Sequence, residues 1–230
     1  MIATVDIASL KQAAAIRAVT EVQDGMVVGL GTGSTATFAV EALAKRVSQG
    51  LRIVTVPTSE RTRALAQKLG VPLAPVGDWP AIDLVIDGAD QVERGSLDLI
   101  KGLGGALLRE KIVASSGKRM IVVVDESKIV DRLGGRTPLP VEIVAFGWQG
   151  TLERLAALGV QPRLRLVDDR PFVSDGGNHI ADCHLAEIAD ARDLETKLSR
   201  IVGVIETGLF VGLASMVVVG GSTGIEVMKR

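Results

Sequence analysis

The sequence predicts an α/β fold: a Rossmann-like domain on a parallel sheet, with a small α+β domain inserted into it. Three observations predict this. Over the first 133 residues, short apolar runs (MVVGL, RIVTV, IDLVID, RMIVVVD) alternate with helix-length segments. Strands buried on both faces and joined by crossover helices leave that pattern. The rhythm then breaks at GGRTPLP (134–140), a Gly/Pro linker. A last buried-strand run, SMVVVG (215–220), comes back near the C terminus.

Each element can be read in order. Ser9 is expected to cap a first helix, LKQAAAIRAVTEVQ, that stops at Gly25. MVVGL (26–30) is a buried strand, GTGST (31–35) a turn and ATFAVEALAKRVSQG (36–50) a helix. RIVTV (52–56) is the second strand, followed by a helix from Ser59 to Leu69 with Gly70 as its stop. IDLVIDGAD is a third strand running into a turn, residues 106–116 a helix, and RMIVVVD (119–125) a fourth strand. Beyond the linker, VEIVAF reads as a strand, 149–158 as a helix, and RLRLV and RPFVS as short strands. DGGN is a hairpin turn into HIADCHL, and Asp190 or Asp193 starts a further helix. VIETGLF and SMVVVG are then expected to rejoin the first sheet. This order assigns 1–131 plus 206–230 to the Rossmann-like domain and 132–205 to the insert.

Composition narrows the function. The chain has 230 residues, 47% of them hydrophobic, enough for a real core. With 26 basic and 27 acidic residues it has no electrostatic footprint for nucleic acid or an anionic membrane. Aromatics are 3% and tyrosine is absent, which argues against a base-stacking platform. One cysteine, Cys183, rules out an internal disulfide framework and suits a reducing cytoplasm. The N-terminal stretch does not read as a signal peptide, and LFVGLASMVVVG (209–220) is too short to span a bilayer.

Four motifs carry candidate chemistry. GLGTGSTA (29–36) follows a strand and opens a helix, matching the loose dinucleotide fingerprint at Gly31, Gly33 and Ala36. The second strand ends TVPTS, without the acid that would hold a ribose, so NAD is disfavoured. What remains is a tight turn or a phosphate cradle of free N–H groups with the Ser34 and Thr35 hydroxyls. Lys11, in the first turn of its helix, sits where the dipole disfavours a cation unless an anion lies near. DGAD (87–90) sets two carboxylates at the rim of a sheet, as an Asx turn, a metal ligand pair or hydroxyl holders. Lys128, in the turn of VVVDESKIV, is either a solvated lysine or a phosphate contact. His179 and His184 point to opposite faces of one strand, which speaks against a metal. Finally, KGLGGALLREKI (101–112) places Glu110 on the apolar side of a helix, beside Ala106, Val113 and Ala114. Either Glu110 curls out to water, or it is an acid in a semi-dry pocket whose pKa rises.

Together these motifs resemble the type A ribose-5-phosphate isomerase family over nearly the whole length and in the family's order: Lys11, GLGTGSTA, TSERT, DGAD, KGLGGALLREK, VVVDESK, LPVE, DGGNHIAD. The resemblance implies a ferredoxin-like insert, no cofactor, no metal, a pentose phosphate substrate and assembly as homodimers or homotetramers. By analogy, Glu110 matches the general base, and Asp87, Asp90 and Lys101 match the polar groups around the sugar. Thr32, Gly33, Ser34, Thr35, Gly88, Ala89, Gly102, Leu103, Gly104, Lys128 and Lys11 match substrate contacts. Two departures stand out: Gln91 where the family usually has glutamate, and Leu103 interrupting the glycine run. Two rival classes remain at this level, a sugar-phosphate-sensing regulator, which should carry a DNA-reading module, and a nucleotide-dependent oxidoreductase.

Overall fold

The computed structural model describes residues 6–75, 79 and 81–230; the first five residues of the N-terminal stretch read for a leader lie outside these. A six-stranded sheet runs in the spatial order Gly224–Lys229, Met216–Gly221, Met120–Asp125, Leu84–Asp87, Val27–Leu30, Val54–Pro57. All pairs are parallel except the edge strand Gly224–Lys229, which turns back antiparallel on Met216–Gly221. This is the α/β class that the apolar runs predict.

Among the described residues there are six α-helices, α1 (Ile7–Val19), α2 (Ser34–Ser48), α3 (Glu60–Lys68), α4 (Leu107–Ser116), α5 (Trp148–Ala157) and α6 (Ala191–Ser199). Alternate residues of the sheet serve two cores. Leu84, Ile86, Ile121 and Val123 pack with Ala14, Ala15 and Ala18 of α1 and Ala39, Val40 and Leu43 of α2. Val85, Val122 and Val124 pack on the other face with Val113 and Ala114 of α4. Both faces are therefore dry, which is why these strands read as unbroken apolar runs.

The chain leaves Val27–Leu30 toward Val54–Pro57 on one side, then returns to Leu84–Asp87 on the other. That reversal opens a crevice beyond the carboxyl ends of Val27–Leu30 and Leu84–Asp87. The GTGST and DGAD loops start there.

Several expectations are corrected. Asp6, not Ser9, caps α1: its carboxylate accepts from Ala8 N at 3.1 Å, while the Ser9 hydroxyl turns back to Asp6. Lys11 is therefore a turn further into the helix than expected. The helix ends at Val19, because Thr20–Gly25 forms tight turns instead. Of the two candidates for α6, Asp190 is the cap, accepting from Asp193 N at 2.9 Å.

VIETGLF does not rejoin the first sheet; only SMVVVG does. Val204–Thr207 pairs with Leu139–Ile143 in a second, antiparallel sheet ordered Val204–Thr207, Leu139–Ile143, His179–His184, Gln161–Leu164. The expected limit at residue 205 thus falls inside a strand. Leu209–Phe210 joins a third small sheet with Leu99–Ile100, Gln91–Glu93 and Ile129–Val130. An isolated β-branched run specifies extended backbone, not which edge it will pair with.

Candidate active site

The GTGST turn is built against DGAD. Gly31 N donates to Ile86 O at 2.9 Å, and a Cβ on Gly31 would stand 1.9 Å from Asp87 Oδ1. Only glycine lets the two loops touch. Asp87 Oδ1 then accepts from Thr32 N at 3.1 Å and from Gly88 N at 2.7 Å. The hydroxyls of TSERT hold the turn from behind: Thr32 Oγ1 lies 2.8 Å from both Thr58 Oγ1 and Ser59 Oγ, and Thr62 Oγ1 donates to Gly31 O at 2.9 Å. These groups are buried and engaged with the turn, so the end of the second strand offers a ribose nothing.

Gly33, at φ +119°, caps α2 without a side-chain hydrogen bond. The first N–H groups of α2 have no side-chain cap, and the positive end of the helix dipole lies behind them, an arrangement suited to an anion. Lys11 Nζ reaches this end, 3.4 Å from Ser34 Oγ and 3.7 Å from Asp125 Oδ2. Asp125 also accepts from Ser127 N at 3.1 Å, capping the 3₁₀ turn Glu126–Lys128 that presents Lys128. One buried carboxylate thereby orders both lysines. The Asp-x-Ser pattern of VVVDESK carries that capping signal.

The second half of the site comes from KGLGGALLREKI. Glu110 is 3% exposed and Lys101 2% exposed, so the dry alternative for Glu110 is the one the fold adopts. Lys101 Nζ lies 2.9 Å from Asp87 Oδ2 and 3.3 Å from Glu110 Oε2, and donates to Gly88 O. Both carboxylate oxygens meet the ammonium as close ion contacts without an aligned hydrogen bond. Phe210 closes the back: its ring centre is 5.4 Å from Lys101 Nζ and 5.2 Å from Lys111 Nζ. Nothing in the sequence marked Phe210, since its place depends on a pairing with Leu99 that only the fold makes.

Two buried carboxylates share one cation, and the electrostatics follow. Burial raises Glu110 to about 8; Lys101 opposes that rise and Asp87 adds to it. Burial likewise lifts Asp87, against Lys101 and the two backbone N–H groups. For Lys101, burial acts downward, but Asp87 and Glu110 together outweigh it and hold the ammonium charged well above its ordinary range. The folded state therefore binds a proton on Glu110 that the unfolded chain has released above about pH 4.5. Stability from this site is complete below the unfolded value and is lost as pH rises toward 8. Asp87 acts in the same direction. Chemical denaturation at pH 5 and pH 8 should show a larger loss in the wild type than in Glu110→Gln, which carries no such proton.

A cleft of about 110 Å³ gathers most of the expected residues: Lys11, Thr32, Gly33, Ser34 and Thr35 from one side, Gly88, Ala89 and Asp90 from the rim, and Lys101, Gly102, Gly104, Glu110 and Lys128. Two expected residues do not line it. Asp87 lies beneath, 1% exposed, as counter-ion to Lys101. Leu103 turns its side chain to solvent, 41% exposed, while its backbone N–H donates to Asp90 Oδ2 at 2.9 Å. Among the described residues no cluster of three or more His, Cys, Asp or Glu side chains has metal-binding geometry.

The family model described as ribose 5-phosphate isomerase A (phosphoriboisomerase A) matches residues 54–224. The chain belongs to the ribose 5-phosphate isomerase A family. It is 54% identical over 223 residues to the ribose-5-phosphate isomerase A of Gloeobacter violaceus, covering 97% of each chain. To that of Gluconobacter oxydans it is 52% identical over 219 residues, covering 94% of each. Among solved structures, ribose 5-phosphate isomerase A from Methanocaldococcus jannaschii superposes with a TM-score of 0.93 at 38% identity, covering 98% of this chain and 100% of that one. A D-ribose-5-phosphate isomerase in complex with phospho-erythronic acid gives a TM-score of 0.94 at 38% identity, with the same coverage.

The two departures from the ribose-5-phosphate isomerase A pattern have local reasons. Gln91 Nε2 donates to Gly134 O at 2.9 Å and its Oε1 accepts from Gly134 N at 2.7 Å. A carboxylate could accept but not donate, so the amide suits this contact with the 134–140 linker. Leu103 contributes through its backbone, so its side chain is free to differ.

Proposed function

We propose that this chain interconverts D-ribose 5-phosphate and D-ribulose 5-phosphate through an enediol(ate), with Glu110 as the base. The observation that carries the reading is the dry Glu110–Lys101–Asp87 cluster, opening onto the same cleft as the bare N terminus of α2.

The phosphate binds the N–H groups of Ser34 and Thr35, with Lys11 and Lys128 neutralising its charge. That contact anchors the substrate and orients its carbon chain. Asp90, on the rim, exchanges protons with the ring and anomeric oxygens as the furanose opens. Glu110, as carboxylate, removes the C2 proton of the open aldose. The C2–H electrons form the C1–C2 double bond and the C1 carbonyl becomes an oxyanion, which the Lys101 ammonium stabilises. Proton transfer from O2 to O1 follows, and Glu110 returns its proton to C1. Asp87 holds Lys101 in place throughout and does not touch the sugar.

Because the base must be ionised, kcat/KM should fall as pH falls through about 8. The apparent value belongs to the Glu110–Asp87–Lys101 set and not to one residue. The direct test follows ribulose 5-phosphate formation by purified protein from ribose 5-phosphate; absence of product would overturn the reading. Ser34→Ala and Lys128→Ala should raise KM with little change in kcat, and free ribose should be a very poor substrate. Equal efficiency on ribose and its phosphate would contradict the proposed anchor. Cytoplasmic location and assembly as homodimers or homotetramers belong to the same reading.

A further inference from the structure

The loop between Lys101 and α4 closes on itself through one backbone hydrogen bond, Gly105 N to Gly102 O at 3.0 Å. It carries Gly102, Gly104 and Gly105, two of them at positive φ, and a flexible loop would blur the distance from Lys101 to Glu110. Besides Asp90, what steadies it comes from the second sheet and the chain that follows its edge strand. Arg165, its side chain only 13% exposed, follows the strand Gln161–Leu164. Its Nη1 donates to Gly102 O at 3.1 Å and to Leu103 O at 3.0 Å. The rest of the guanidinium is held by Asp182: Nε donates to Oδ2 at 2.9 Å, and Nη2 to Oδ1. Phe172 stacks under the same guanidinium with its ring centre 5.8 Å away. That ring also fills the space over Gly105, where an added Cβ would stand 2.5 Å from Phe172 Cζ. Leu103 is thus pinned through both of its backbone polar groups, its N–H by Asp90 and its C=O by Arg165.

We infer that Arg165 is a positioning residue for the isomerisation: oriented by Asp182 and Phe172, it clamps the glycine loop so that Lys101 and Glu110 hold their reacting geometry. Arg165 does not line the cleft, so it is placed to act through the loop and not on the sugar. Its fork is matched to two carbonyls and a carboxylate at once, which a lysine cannot reproduce. The inference rests on the isomerase reading, and the test separates the two.

Arg165→Lys and Asp182→Asn are compared with wild type in two measurements, at a temperature where circular dichroism shows all three folded. In steady-state kinetics with ribose 5-phosphate, kcat should fall by about 10-fold or more in Arg165→Lys, the scale on which small misplacements act. KM should change by less than about 3-fold, because the phosphate contacts are untouched. Asp182→Asn should show the same split with a smaller fall. In hydrogen exchange, the Leu103 amide should exchange faster in both variants. A folded Arg165→Lys with kcat and Leu103 exchange like wild type would overturn the inference; if that variant does not fold, Asp182→Asn decides in its place. An inactive wild type would overturn the isomerase reading instead, and the Leu103 exchange rates would still decide whether the clamp exists.

Discussion

Replacing Glu110 with glutamine should lower turnover of ribose 5-phosphate by about 10²–10⁴-fold, the range for a positioned acid–base group. Glutamine keeps the shape of the side chain and a polar contact with Lys101, but it cannot accept a carbon proton. Ala106 and Ala114, both small and buried, flank Glu110 and leave the variant room to sit as the wild type does. KM should change little, since the proposed phosphate contacts lie at the other end of the cleft, at the N terminus of α2. The wild type should exchange the C2 hydrogen of ribose 5-phosphate with D₂O, wholly or in part, and Glu110→Gln should not. The acid limb of the pH–rate profile should also vanish in whatever slow reaction remains. Near-normal turnover in Glu110→Gln would mean that another group is the base.

Lys101→Met should be nearly as damaging, for a different reason. The change keeps much of the stem beside Phe210 and removes the charge. If Lys101 is the donor to the developing oxyanion, as proposed, its loss should lower kcat by about 10²–10³-fold. The variant should also be less stable, because Asp87 and Glu110 would face each other in a dry site without their cation. Breaking a buried ion pair from one side typically costs about 3–5 kcal/mol. The carboxylates can escape that cost only by taking up protons, so the stability deficit should grow as pH rises from 5 to 8. A denaturation series across that range checks the slope, and a deficit independent of pH would show that the cluster is not coupled as described. Asp87→Asn gives the complementary case: Lys101 keeps Glu110 as partner, so the Glu110 proton should be released at lower pH.

Much of this site was legible in the sequence because its signals are local. GTGST after a buried run and before a helix specifies a turn with open N–H groups, whatever surrounds it. Helix phase alone put Glu110 with Ala106, Val113 and Ala114, and the fold buries all four. The order of motifs specified the family, and with it the expected reaction. Other parts were not legible. Asp87 and Asp90 are equivalent in DGAD as written, yet one is a buried counter-ion and the other lines the cleft. Ser9 had the right chemistry for a cap and lost to Asp6 three residues earlier. Leu103 looked like part of a binding loop and contributes only its backbone.

The sequence by itself determined the α/β class, the run of buried strands, the turns between them and the placing of Glu110 on the apolar side of its helix. Each of these depends on periodicity, turn residues or helix phase, properties of a few consecutive residues. Only the tertiary structure decided that VIETGLF splits between two small sheets, that Phe210 backs Lys101, and that Arg165 holds the glycine loop. It also decided that Lys101 stands between Asp87 and Glu110. These are meetings of segments up to more than a hundred residues apart in the chain. A cation's partners, a strand's edge and a buried group's proton affinity depend on what the rest of the chain brings to them, and no local pattern contains that information.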